Sequence, residues 1–110
     1  MKKIYKSGTN KGNRRVWIEG SILLQFGFVR GLRFNRLMQS DSIVLIPHTE
    51  GKHRVAGTDK RPIIDLNGKY LNDLFGSRTH FAAKFSPASR PTRLPVKQAI
   101  DITPCNEAGQ

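Results

Sequence analysis

Three features of the sequence predict a mainly β fold with short helices, built as two pseudo-repeats of strand, short helix and β-hairpin. Apolar residues alternate over Arg15-Val16-Trp17-Ile18-Glu19, with Val16 and Ile18 on one face and Trp17 on the other. The two candidate helices, 21–26 and 69–75, are each only about two turns long. The order of strand, glycine, short helix, glycine and alternating strand then occurs twice along the chain.

Residues 1–13 mix Lys, Gly, Asn, Ser and Thr around one apolar pair, Ile4-Tyr5. Such a segment suits a short edge strand or a flexible basic arm, and the arm is the reading adopted for 1–13. The first unit spans 14–47. Gly20 ends its strand, Ile22, Leu23 and Phe26 can share one helix face, and Gly27-Phe28-Val29-Arg30-Gly31 suits a chain that turns back sharply. Leu32, Phe34, Arg36 and Met38 alternate, Gln39-Ser40-Asp41 can turn, and Ser42-Ile43-Val44-Leu45-Ile46-Pro47 has strand character.

His48 to Lys60 reads as a polar connector apart from Arg54-Val55-Ala56. The second unit spans 61–96. Ile63-Ile64-Asp65-Leu66 forms its strand, Asn67-Gly68 breaks it, and Lys69 to Phe75 forms its helix. Phe81, Ala83 and Phe85 alternate, 86–91 turns, and Thr92-Arg93-Leu94-Pro95-Val96 closes the hairpin, with Pro95 marking an edge or the end of pairing. Residues 14–97 thus form one domain, and 98–110 are expected to be a flexible C-terminal tail.

The repeat can be counted. At an offset of 48, Val16 matches Ile64, Ile18 matches Leu66, Gly20 matches Gly68, Leu23 matches Leu71, Phe26 matches Leu74, and Ile46-Pro47 matches Leu94-Pro95. One deletion brings Phe34 onto Phe81 and Met38 onto Phe85. Each unit alone is too small to bury its apolar face, so the two must pack together.

Charge narrows the function. The chain of 110 residues carries 19 Lys and Arg against 8 Asp and Glu, a formal charge of +11. Residues 1–36 hold nine of the bases with one acid, Glu19, and residues 51–97 hold ten with Asp59, Asp65 and Asp73. Such an excess favours a polyanionic partner, with nucleic acid before a membrane surface or an acidic protein. One cysteine, Cys105, excludes an internal disulfide and a Cys-rich zinc site. No apolar run reaches the roughly 20 residues of a membrane span, and no signal-peptide core follows Met1, so a cytoplasmic location is expected.

Val16-Trp17-Ile18-Glu19-Gly20 followed by Phe26-Gly27-Phe28-Val29-Arg30-Gly31 and an alternating strand resembles the SpoVT/AbrB-like swapped-hairpin unit, including its SymE-like toxin branch. The resemblance implies hairpins exchanged between two copies to make one barrel-like core. The second unit departs from the pattern, since Gly76-Ser77-Arg78-Thr79 lacks the second glycine. The stretch 7–20 and Pro62-Ile63-Ile64-Asp65-Leu66-Asn67 are also similar to the N-terminal domain of some DNA cytosine methyltransferases of phages and mobile elements. What that likeness implies is DNA binding rather than methyl transfer: Pro104-Cys105 stands without a nucleophile loop or a cofactor-binding glycine-rich unit.

Nucleic-acid contact needs guanidinium and ammonium groups projecting from a rigid frame. The candidates are Arg14, Arg15, Arg30, Arg33, Arg36, Arg61, Arg78 and Lys84, and the family resemblance implies that role for the first four. Trp17 and Tyr70 are the aromatics most available for stacking on bases, although packing against a neighbouring strand is the favoured role of Trp17. His48 and His53 flank Glu50, but no third ligand is spaced to complete a metal site. No carboxylate pair or nucleophile–base set stands out. The expectation is a non-catalytic duplex-DNA-binding protein without cofactor or metal, monomeric as a pseudo-dimer or homodimeric. The alternatives are a phage or mobile-element inhibitor of a host defence nucleoprotein complex and a SymE-like RNA-acting toxin.

Overall fold

The computed structural model describes residues 1–86 and 98–106. Its elements follow in the order β1 (Lys2–Lys6), β2 (Gly8–Asn10), β3 (Asn13–Glu19), α1 (Ser21–Gln25), β4 (Arg33–Met38) and β5 (Ile43–Pro47). Then come β6 (His53–Arg54), β7 (Ala56–Gly57), β8 (Pro62–Asn67), α2 (Lys69–Phe75), β9 (His80–Ser86) and β10 (Ala99–Cys105). The fold is mainly β, in two antiparallel sheets. One sheet has six strands in the order β1-β9-β10-β5-β4-β6, and the other has four in the order β2-β3-β8-β7.

Alternation decides what each strand buries. Val16 and Ile18 of β3, Ile64 and Leu66 of β8, Ile43 and Leu45 of β5, Phe81 and Phe85 of β9, and Ile100 and Ile102 of β10 are all buried in one continuous core. Both helices close that core, α1 with Ile22 and Leu23 and α2 with Leu71, Leu74 and Phe75. Burying a Leu, Ile or Phe side chain contributes about 1.5–3 kcal/mol each, so the shared interior, not the propensity of two short helices, holds the sheets together.

The expected barrel is not closed. The strands form two separate sheets, and the chain passes from one to the other at two corners, between edge strands β1 and β2 and between edge strands β6 and β7. Ser7, between β1 and β2, is buried and donates from both its backbone N and its Oγ to the Thr79 carbonyl at 2.9 Å. Val55, between β6 and β7, is likewise buried and donates its N–H to the Leu32 carbonyl at 2.9 Å. Corners made by a strand leaving one sheet for the next are a feature of orthogonally packed sheets.

Two segments differ from the sequence expectation. Residues 1–13 are not an arm: β1 pairs with β9, Tyr5 stacks on Phe81 with ring centroids 5.2 Å apart, and β2 and β3 form a hairpin across Lys11-Gly12. Lys11 and Gly12 have φ of 53° and 82°, the backbone a two-residue hairpin turn requires. Residues 98–110 are not simply a tail, because β10 is an interior strand of the larger sheet, between β9 and β5. The closing strand expected over Thr92–Val96 lies outside the described residues; the partner of β9 is β10, with Pro104 opposite Phe81.

Candidate nucleic-acid interface

The eight candidate side chains do not share one surface. Three are neutralised by acids. Arg15 donates Nε and Nη2 to the two carboxylate oxygens of Asp65, both at 2.8 Å, and lies 4.4 Å over the Trp17 ring. That doubly bonded fork holds the Asp65 carboxyl below its usual range and raises the Arg15 guanidinium. Arg30 bonds Asp59 at 2.9 Å, and Arg61 stands 3.4 Å from Glu19. Arg15 lies on the outer face of the four-stranded sheet, beside the register pair Trp17 and Asp65.

Two more serve the fold. Arg78 donates Nε and Nη2 to the carbonyls of Phe75 and Leu74, at 3.1 and 2.7 Å, satisfying the last turn of α2. Arg14 reaches Ser7 Oγ at 3.3 Å, and its guanidinium lies 5.9 Å from the Phe75 ring centroid. Lys84 stands on the outer face of the six-stranded sheet with Lys2 and Asp101 as its cross-strand neighbours, far in strand order from Arg33.

Arg33 and Arg36 remain, both on β4. They stand with two cations from the connector, Lys52 and Arg54, at the edge where β6 pairs with β4. Arg33 lies directly opposite Arg54, and Phe34 directly opposite His53. Phe34 is buried and the His53 ring stacks on it at 5.5 Å, so Arg33 and Arg54 point to the other, solvent side. Around the edge, Arg36 lies 3.9 Å over Tyr70 and lines a hollow of about 410 Å³ with Asn35, Lys52 and His53. Desolvation, followed by the charges of Arg36 and Lys52, lowers the His53 pKa. Among the described residues, none of Arg33, Arg36, Lys52 and Arg54 has a carboxylate within ion-pair distance.

The loop 48–54 is held rigidly against β4. The Lys52 N–H donates to Asn35 Oδ1 at 3.1 Å, the His48 N–H to the Arg33 carbonyl at 3.0 Å, and Arg33 Nη1 to the Gly51 carbonyl at 3.5 Å. Gly51 is buried so closely on Phe34 that an added Cβ would stand 2.6 Å from the Phe34 backbone. Glycine is therefore what lets Lys52 and Arg54 reach the sheet edge.

The chain matches no protein-family model, no curated protein and no solved structure.

Lys52 and Arg54 escaped the sequence reading because they fall in a polar stretch without periodicity. The one available signal was Arg54-Val55-Ala56, a fragment of strand pattern. Trp17 and Tyr70 offer less to bases than their exposure suggests, since guanidinium groups already cover one face of each. Among the described residues, no group of three or more His, Cys, Asp or Glu is placed to hold a metal ion, and no helix is long and apolar enough to cross a membrane.

Proposed function

We propose that this chain is a non-catalytic protein that binds duplex DNA through the basic β4–β6 edge, and that it is a covalent pseudo-dimer of the SpoVT/AbrB-like swapped-hairpin kind. The observation that carries the binding reading is Arg33 facing Arg54 without an acid between them. Like charges directly opposite one another on a sheet destabilise it. A fold that keeps such a pair and sets Arg36 and Lys52 around the same edge, while Asp65 takes Arg15, Asp59 takes Arg30 and Glu19 takes Arg61, leaves this edge to an external anion. Arginine suits phosphate because its planar fork donates two parallel bonds.

Strand register supports the pseudo-dimer. An offset of 48 carries Gly8 opposite Arg15 onto Ala56 opposite Ile63, and Val16 opposite Leu66 onto Ile64 opposite Ile18. Phe34 faces Pro47 as Phe81 faces Pro104. Tyr5 stacks on Phe81 as His53, 48 residues later, stacks on Phe34. The two hairpins meet at β5 and β10, and Phe26, at the end of the first helix, stacks on Phe85 of the second hairpin at 5.3 Å. The corresponding pair to Arg33 and Arg54 in the other half is His80 and Lys6, also directly opposite and also basic.

One observation favours the second reading, an inhibitor that docks on a protein or nucleoprotein complex. On the outer face of the six-stranded sheet the exposed Leu37 lies directly opposite the half-buried Val44, with Ile46 two residues further along the same strand, an apolar cluster of the kind that marks protein contact. A gel-shift panel of duplex DNA, single-stranded DNA and RNA at two salt concentrations tests the first reading. A partner recovered from host extract that survives nuclease treatment supports the second.

A further inference from the structure

We infer that the cavity beside the Arg33–Arg54 pair is a discrete site for a single phosphate group. This rests on the duplex-DNA reading only for the source of the phosphate, a diester of the backbone. The cavity has a volume of about 520 Å³, and Arg33, His48, Thr49 and Arg54 supply its polar wall. Among the described residues, no acid contributes to that wall. Glu50, the acid of the same loop, is exposed and makes no ion pair among the described residues.

Every polar side chain of the wall can donate. Arg33 and Arg54 bring two guanidinium forks. His48 Nδ1 accepts the Glu50 backbone N–H at 3.0 Å, so the neutral ring carries its proton on Nε2 and remains a donor without gaining charge. The Thr49 hydroxyl adds a neutral donor. Donors without a competing carboxylate suit a tetrahedral oxyanion and discriminate against a cation.

The wall is also formed before any ligand arrives. The Gly51 N–H donates to the His48 carbonyl at 2.9 Å, closing the turn that displays His48 and Thr49. The Gly31 N–H donates to the Val55 carbonyl at 2.8 Å, tying the far side of the cavity to the strand that carries Arg54. A site whose backbone is already ordered loses little backbone entropy on binding, leaving only the exposed side chains to be fixed.

The experiment is a titration of the intact protein with inorganic phosphate and, separately, with dimethyl phosphate, followed by NMR at the His48 imidazole, the Thr49 amide and the Arg33 and Arg54 Nε–H groups. The expected result is a saturable shift at these four residues with both anions, weakened at least tenfold in Arg54→Gln. Saturation by inorganic phosphate alone would overturn the diester assignment. Shifts that stay linear, spread over the surface lysines, or persist unchanged in Arg54→Gln would overturn the site. Duplex binding is measured on the same variant. Duplex affinity that falls without saturable phosphate shifts leaves the DNA reading standing and removes the discrete site. Saturable shifts with unchanged duplex affinity retain the site and remove the DNA reading.

Discussion

Arg33 and Arg54 occupy directly opposite positions on the β4–β6 ladder, with side chains on the solvent side and without a carboxylate partner among the described residues. Opposed Cβ atoms in such a pair stand about 5 Å apart, close enough for mutual repulsion to cost a few tenths of a kcal/mol. Arg54→Gln keeps the first three carbons of the side chain and a polar end, shortens its reach, and removes the repulsion. Its melting temperature at low salt should rise by a few degrees, and the gain should shrink at about 1 M salt, where the Debye length is near 3 Å. A lower melting temperature at low salt would contradict this.

His53 gives the edge a pH dependence. Its pKa is lowered by burial against Phe34 and then by Arg36 and Lys52. The unfolded state therefore takes up a proton more readily than the folded one, and stability falls as pH drops through the ordinary histidine value of 6.5. His53→Phe, which preserves the stacked ring, should flatten the melting temperature between pH 7.5 and pH 5.5. An anion at the Arg36–Lys52 hollow opposes those charges, so affinity for duplex DNA should rise over the same fall in pH, and this rise should weaken in the variant.

Gly51→Ala tests how the basic loop is seated. Its Cβ would lie 2.6 Å from backbone atoms of Phe34, so either β4 or the loop must move. Overpacking of this kind costs about 1–3 kcal/mol. The variant should melt lower and bind DNA more weakly, whereas Gly12→Ala, which meets nothing within 4 Å at a turn of positive φ, should lower the melting temperature while leaving binding unchanged.

Asp65→Asn separates the paired arginines from the unpaired ones. Because Arg15 holds the Asp65 carboxyl below its ordinary value of 3.8, the stabilisation is complete above that pH and is lost as pH falls through the lower, folded value. The melting temperatures of the variant and the parent should differ at pH 7 and converge as pH falls past the lowered, folded value of Asp65. Binding to DNA should be unaffected, since Arg15 stands on the other sheet from Arg33 and Arg54.

Strand alternation and glycine breaks made much of the fold legible. The helix over Lys69–Phe75 was legible between its flanking Gly68 and Gly76, whereas the offset of 48 only equates Trp17 with Asp65 and does not give their cross-strand pairing. β1 was obscured because an edge strand bearing Lys2, Lys3 and Lys6 has the composition of a solvated arm, and only its contact with β9 orders it. β10 was obscured by spacing: Pro104 lies 57 residues after Pro47, while Phe81 lies 47 after Phe34, so a longer connection shifts the true partner past Leu94-Pro95. Charge counting pointed to a polyanion but could not sort the arginines. Which of them is free depends on Asp59, Asp65 and Glu19, and those pairings join positions distant in the chain.

The measurement that bears most directly on the proposed function is fluorescence anisotropy of a labelled DNA duplex against salt concentration, for the parent protein and for the folded Arg33→Ala/Arg54→Ala variant. Each lost phosphate contact lowers the slope of log affinity against log salt by about 0.9. The parent should bind with a steep negative slope, and the variant should bind at least tenfold more weakly with a slope shallower by about two such contacts. A parent protein without salt-dependent affinity, or a variant with the same affinity and slope as the parent, would contradict a DNA-binding edge at β4 and β6.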